Sequence, residues 1–140
     1  MALSAPVPLA AEHVLDTFDC GKPALNAWLL DRAQRNQGLG FTAVVVIHEG
    51  GRVVGFSGLA PSAIHPSALP RSIRTGQSPT PMPCMLLGQL AVDLRWQGQR
   101  VAARLLLDAF QRAVNAAALV GGRALIVLAI DADALAFWQA

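Results

Sequence analysis

The spacing of apolar positions divides the chain into short apolar runs and stretches with a helical period. Residues 1–10 are apolar but interrupted by Pro6 and Pro8, which cannot donate to a ladder, and so predict an edge strand. Residues 18–38, FDCGKPALNAWLLDRAQRNQG, predict a turn and then one helix that Pro23 opens and Gly38 closes. Leu25, Trp28 and Leu29 form its apolar face, and Arg32 and Arg35 project from it three residues apart. Residues 41–64, FTAVVVIHEGGRVVGFSGLAPSAI, predict two strands joined at Gly50-Gly51, a strong two-residue hairpin signal. Residues 65–83 hold five of the nine prolines and predict a loop.

Residues 84–94, CMLLGQLAVDL, predict the next strand. From 101 to 119 the helical period is clear. Arg104, Asp108, Gln111, Arg112 and Asn115 share a polar face, opposite Val101, Leu105, Leu106, Ala109, Phe110, Ala113 and Val114. Gly121-Gly122 ends that helix. Residues 124–130, ALIVLAI, predict a strand buried on both faces, and Asp131 the cap of a last short helix. The unit 85–130 is a βαβ crossover with parallel strands. The order strand, helix, hairpin, loop, strand, helix, strand, helix defines one α/β (α+β) domain with no internal repeat or linker.

Composition narrows the class. The 140 residues are enough for one domain with a real core. Hydrophobic residues make up 54% and charged ones 14%, yet no apolar run reaches the roughly 18 residues that span a bilayer. No basic flank precedes an apolar stretch at the N-terminus, so a cytoplasmic protein without a membrane partner is expected. Cys20 and Cys84 lie far apart, which predicts free structural thiols and no metal site. His13, His48 and His65 are scattered, and Asp16 and Asp19 read as loop and cap residues rather than a carboxylate pair. A net charge of +2 is too mild to prove a nucleic-acid partner. Ten of the eleven Lys and Arg are Arg, whose planar fork suits phosphate, and Arg32, Arg35, Arg71 and Arg74 fall in two short segments.

The densest chemistry lies at residues 95–102, where a strand passes into a helix. A helix N-terminus presents unpaired N–H groups and a positive dipole end, and the small residues Gly98 and Ala102 let an anion approach the backbone. The stretch LLGQLAVDLRWQGQRVAARLLLDAF resembles the acetyl-CoA-binding core of the GNAT acetyltransferases, whose loop reads Gln/Arg-x-x-Gly-x-Gly/Ala. Gln97 takes the first place and Ala102 the last, while Arg100 stands where Gly is usual. Together with FDCGKPALNAWLLDRAQRNQ, GGRVVGFSGLAPSAI and RALIVLAIDADALAFW, nearly the whole chain is similar, in order, to the GNAT-type toxins of bacterial toxin–antitoxin pairs.

That resemblance implies a mixed, splayed sheet flanked by helices. It implies acetyl transfer from acetyl-CoA to the free amine of an aminoacyl-tRNA, which blocks translation, and neutralisation by a ribbon-helix-helix antitoxin. It assigns acetyl-CoA to the backbone of Leu90, Ala91 and Val92, to the loop Gln97, Gly98, Gln99, Arg100, Val101 and Ala102, and to Asp131 and Phe137. Arg32, Arg35, Arg71 and Arg74 become candidates for the tRNA stem. Two departures stand out. The family's proton donor is a Tyr on the last helix; this chain has no Tyr, and Trp138 holds that place. An indole N–H donates a hydrogen bond but releases no proton near neutral pH. The family also continues into one or two further strands, so a C-terminally incomplete domain is expected. Two other functions stay open: a relative that binds acetyl-CoA or antitoxin without turnover, and a GNAT enzyme acting on a small amine or a protein N-terminus. A homodimer is a further option.

Overall fold

The computed structural model of the chain describes residues 2–64, 82–122 and 125–127. A two-residue strand β1 (Val7–Pro8) precedes helices α1 (Pro23–Asp31) and α2 (Ala33–Gly38). The hairpin β2 (Ala43–Glu49) and β3 (Arg52–Ile64) follows, then β4 (Met82–Val92), α3 (Val101–Val120) and β5 (Leu125–Val127). The strands form one mixed sheet in chain order, antiparallel from β1 to β4 and parallel between β4 and β5. The parallel step is what a strand–helix–strand pattern demands, because α3 returns the chain to the end of the sheet where β4 began.

Local chemistry sets each junction. Gly50 and Gly51 turn the hairpin at φ +58° and +90°, left-handed angles at both positions that match the twist of the flanking strands. At the outer edge Pro8 ends β1, and a side chain takes over the pairing. Gln37 on α2 donates from Nε2 to the Leu9 carbonyl at 2.7 Å and accepts the Val44 N–H at 2.9 Å.

Alternate residues of the strands face opposite helices. Val44, Val46, Phe56 and Ala91 pack with Leu29 and Ala33 of α1 and α2. Val45, Ile47, Val54 and Val92 pack with Val101 and Leu105 of α3. Phe56 anchors the first core, stacked on Trp28 with ring centroids 5.8 Å apart and edge-on to Phe18 at 5.4 Å. On the second face Gly55 lets α3 lie close: a methyl added there would sit 2.8 Å from Val101 Cγ1. Among the described residues no helix is long and apolar enough to cross a membrane.

Several expectations need correction. The single helix over 23–38 is two, broken at Arg32, whose φ of −126° leaves the helical region. Arg32 and Arg35 therefore do not stand on one continuous helix face. β4 starts at Met82 rather than Cys84, because Met82 and Pro83 pair with Ile64 and Ala63. Phe110 and Val114, placed on the buried face of α3, are 56% and 50% exposed. The sheet buries the stripe Val101, Leu105, Ala109 and Ala113, with Ala102 and Leu106 packed at its margin. Leu125 and Ile126 of β5 are partly rather than fully buried.

His13 and His48 are not scattered; their rings lie 4.7 Å apart. Each uses Nδ1 as an acceptor, from Ala10 N–H at 2.9 Å and Gly51 N–H at 3.1 Å, so the pair fastens the N-terminal segment to the hairpin. Burial, with the neighbouring His48, pushes the His13 pKa down against the opposing pull of Glu12. His65 lies outside the described residues, as does most of the predicted loop.

The narrow stripe makes a measurable difference. Leu105→Ala should lower unfolding stability by about 3 kcal/mol, since Leu105 is fully buried. Phe110→Ala should stay within about 0.5 kcal/mol. Urea unfolding of both variants checks this, and equal losses would contradict the assigned face.

Candidate active site

The site is built around the C-terminal half of β4. Gly58 faces Gln89 across the β3–β4 ladder while Leu59 faces Leu87, so Gly88 is the extra residue of a bulge. Met85–Leu87, just before it, pair with Leu125–Val127. Among the described residues β5 pairs no further, and the β5-side edge of β4 from Gly88 to Val92 has no strand partner. Ala91 and Val92 are buried and Leu90 is partly buried in the core on the α3 side. What these three can offer a ligand is their backbone.

β4 ends at a buried carboxylate. Asp93 is 1% exposed, and both of its oxygens accept hydrogen bonds. Oδ1 accepts from the Arg95 N–H at 2.9 Å and from Arg95 Nε at 3.1 Å, and Oδ2 accepts from the Asp19 N–H at 3.1 Å. The Leu94 N–H returns a bond to the Asp19 carbonyl at 2.8 Å. Gln97 Nε2 completes the knot by donating to the carbonyls of Val92 at 3.0 Å and Cys20 at 3.3 Å. Asp19 in turn accepts from the Gly21 N–H and from Asn26 Nδ2 of α1. The chain entering α1 and the chain leaving β4 are thereby one hydrogen-bonded unit. Burial pushes the Asp93 carboxyl up, but Arg95 and the amides of Arg95 and Asp19 outweigh it and hold it below the ordinary Asp range. The Gly21 amide and then Asn26 hold Asp19 down as well.

Beyond the knot the backbone opens toward solvent. Gly98 sits at φ +80° and Arg100 at φ +67°, Arg100 being the one non-glycine with positive φ among the described residues. The position where the GNAT loop usually carries Gly is thus left-handed. Arg100 is the N-cap of α3 and makes no side-chain capping bond, so the first-turn amides of Val101, Ala102 and Ala103 remain available. Arg100 is exposed, and Asp93, the nearby acid in sequence, is turned inward onto Arg95. Open amides, a positive helix end, small residues and an exposed guanidinium fit a phosphate diester.

The predicted residues divide by what they can contribute. Gly98, Gln99 and Arg100 are exposed along the loop, and Ala102 is partly buried at the helix start. Gln97 is exposed, and its Nε2 braces the loop through the carbonyls of Val92 and Cys20. Val101 is 1% exposed, so only its N–H can serve a ligand. Arg32 and Arg35 are exposed at the α1–α2 break and on α2. Arg71, Arg74, Asp131, Phe137 and Trp138 lie outside the described residues. The sequence reading missed Asp93; its signal was an acid closing an apolar strand two residues before an Arg. Among the described residues no group of three or more His, Cys, Asp or Glu could hold a metal.

No known family profile matches this chain. A tRNA-acetylating toxin of Mycobacterium tuberculosis (strain ATCC 25618 / H37Rv) is 37% identical over 135 residues, covering 96% of this chain and 81% of the relative. The toxin AtaT, solved in complex with acetyl-methionyl-tRNA, superposes with a TM-score of 0.87 at 28% identity, over 99% of this chain and 84% of that one. A Tyr-to-Phe mutant of AtaT bound to acetyl-CoA and the C-terminus of the antitoxin AtaR gives 0.82 at 27% identity, over 99% and 82%. A Tyr-to-Phe mutant of KacT gives 0.91 at 25% identity, over 99% and 85%. The fold and the loop define a GNAT acetyltransferase. Within that class, the chain belongs to the tRNA-acetylating toxins.

Asp93→Asn turns an NH2 group toward one of the N–H donors and should cost about 2 kcal/mol at pH 7. Because the folded carboxyl is depressed, its contribution is complete above about pH 4 and is lost as pH falls through the depressed value. Urea unfolding of wild type and variant should therefore show a gap at pH 7 that narrows at pH 3.

Proposed function

We propose that this protein transfers the acetyl group of acetyl-CoA to the free amine of an aminoacyl-tRNA and so acts as a toxin that blocks translation. The observation that carries this reading is the likeness, along almost the whole chain, to a tRNA-acetylating toxin, with the fold shared with AtaT beside it. Acetyl-CoA, when bound, supplies an activated thioester: the amine adds to its carbonyl carbon, the C–S bond then breaks, and the proton that the nitrogen gives up leaves with CoA as its thiol.

This chain's residues do the rest. The uncapped amides of α3 and the guanidinium of Arg100 hold the pyrophosphate, with Gly98 and Ala102 leaving room for it. Gln99 borders the same loop. The backbone edge of Leu90, Ala91 and Val92 lines up the pantetheine arm as an added strand would, and an N–H there steadies negative charge on the thioester oxygen. Asp131 and Phe137 extend the contact. Trp138 orients the leaving sulfur without giving it a proton. The amine of an aminoacyl ester is less basic than a lysine's, so a substantial fraction is neutral near pH 7 and a strong base is dispensable. Arg32, Arg35, Arg71 and Arg74 bind the acceptor's phosphates. A small ribbon-helix-helix antitoxin is the protein partner, and the cytoplasm, where charged tRNA is found, is the place of action.

Incubation with labelled acetyl-CoA and total charged tRNA should place label on the aminoacyl end, released by mild base. Binding of acetyl-CoA without label on tRNA would leave a cofactor-binding relative and remove the enzyme claim. Reversal of Arg32 and Arg35 to Glu should reduce kcat/KM for charged tRNA about tenfold or more and flatten its salt dependence by about one unit per lost phosphate contact. Acetyl-CoA affinity should stay unchanged. Arg100→Gly relieves about 1–2 kcal/mol of left-handed strain and adds about 0.5–1 of unfolded-chain entropy, a small net gain in stability. It should nevertheless raise KM for acetyl-CoA; a KM equal to wild type would count against the phosphate contact.

A further inference from the structure

Gln89 is the first residue past the Gly88 bulge, in the cross-strand row Val44–Gly58–Gln89. Val44 and Ala91 belong to the core beneath α1 and α2, so the Gln89 side chain lies on that face of the sheet. Its carboxamide folds across β3 and fills the space that a side chain at position 58 would need. A methyl added to Gly58 would collide with Gln89 Oε1 and lie 3.3 Å from its Cδ and 3.2 Å from Thr42 Cγ2. Glycine at 58 is thus the condition for the amide to lie flat.

The carboxamide is packed but unpaired. It has no hydrogen-bond partner among the described residues, and none of their buried polar side-chain atoms lacks one. Its oxygen and NH2 therefore keep some access to solvent over β3 at Gly58, on the face of the sheet that α1 and α2 cover. A half-buried amide in a sheet ordinarily finds a partner within the protein. Here the donor and the acceptor are both left for a ligand that carries an N–H and a carbonyl side by side, which is the make-up of an aminoacyl ester.

We propose that Gln89 binds the aminoacyl group of the acceptor, Oε1 accepting from the attacking amine and Nε2 donating to the ester carbonyl. This rests on the acetyl-transfer reading above. The side chain takes up no proton; it aims the amine's lone pair at the thioester held along Leu90–Val92. A neutral amide also suits the chemistry better than a carboxylate would. A negative charge at this place would favour the ammonium form, which cannot attack.

Three variants test the assignment by acetyl transfer to charged tRNA. Gln89→Leu, which keeps the packing volume, should lose about tenfold in kcat/KM for charged tRNA with unchanged acetyl-CoA affinity. Gly58→Ala, which displaces the amide without removing it, should show a smaller loss of the same kind. Gln89→Glu should shift the rising limb of the pH–rate profile up by about one unit, a change that a structural role would not produce. Wild-type kcat/KM in Gln89→Leu together with an unshifted profile in Gln89→Glu would overturn the role of Gln89 and leave acetyl transfer standing. Absence of transfer by the wild-type protein itself would overturn both.

Discussion

A carboxylate buried at the end of a central strand has to be met by donors on every side, and those that meet Asp93 come from segments 74 residues apart in the chain. One oxygen is held by its own loop through Arg95, the other by the amide of Asp19 at the entrance to α1. The anion loop and the first helix therefore cannot shift independently. That coupling holds the exposed loop before α3 in a fixed relation to the entrance of α1, with the end of β4 between them. The exposed Arg95 adds little by charge alone; the strength lies in amides that would otherwise be buried unpaired.

The second constraint is the bulge at Gly88. A regular strand there would keep β4 pairing β5 or turn Gln89 and Leu90 to the opposite faces. One extra residue changes the aim of everything after it, and among the described residues β4 pairs with β5 up to Leu87 and no further. Glycines on β3 serve the two faces of this arrangement in different ways. Gly55 admits α3 on one side and Gly58 admits the Gln89 carboxamide on the other.

Much of this was legible in the sequence, and the remainder was hidden for definite reasons. The Gly50-Gly51 turn, the parallel crossover and the donor-rich loop announce themselves because local chemistry decides them. The break at Arg32 gives no such sign, since Arg and Gln are good helix formers and only packing bends the chain there. Phe110 and Val114 fit a helical period, but one sheet face covers a narrower stripe than the apolar residues offer. The His13–His48 contact, the bond from Gln97 to the Cys20 carbonyl and the burial of Asp93 are tertiary facts, formed by segments far apart in sequence. The family resemblance singled out the loop 97–102 as a candidate for acetyl-CoA, and the left-handed φ at Arg100 is one that glycine adopts without strain.

The order in which the chain is made adds a delay of its own. The β2–β3 hairpin closes locally, and α1 and α2 can settle on it early. Asp19 must wait 74 residues for Asp93, and the parallel partner of β4 comes only with Leu125–Val127, after the whole of α3. At about 5–20 residues per second, those 74 residues alone take about 4–15 s of synthesis. In this topology the hydrogen bonds that join the entrance of α1 to the loop after β4 form only once both segments have been made, so the first helix waits for the strand that fixes it.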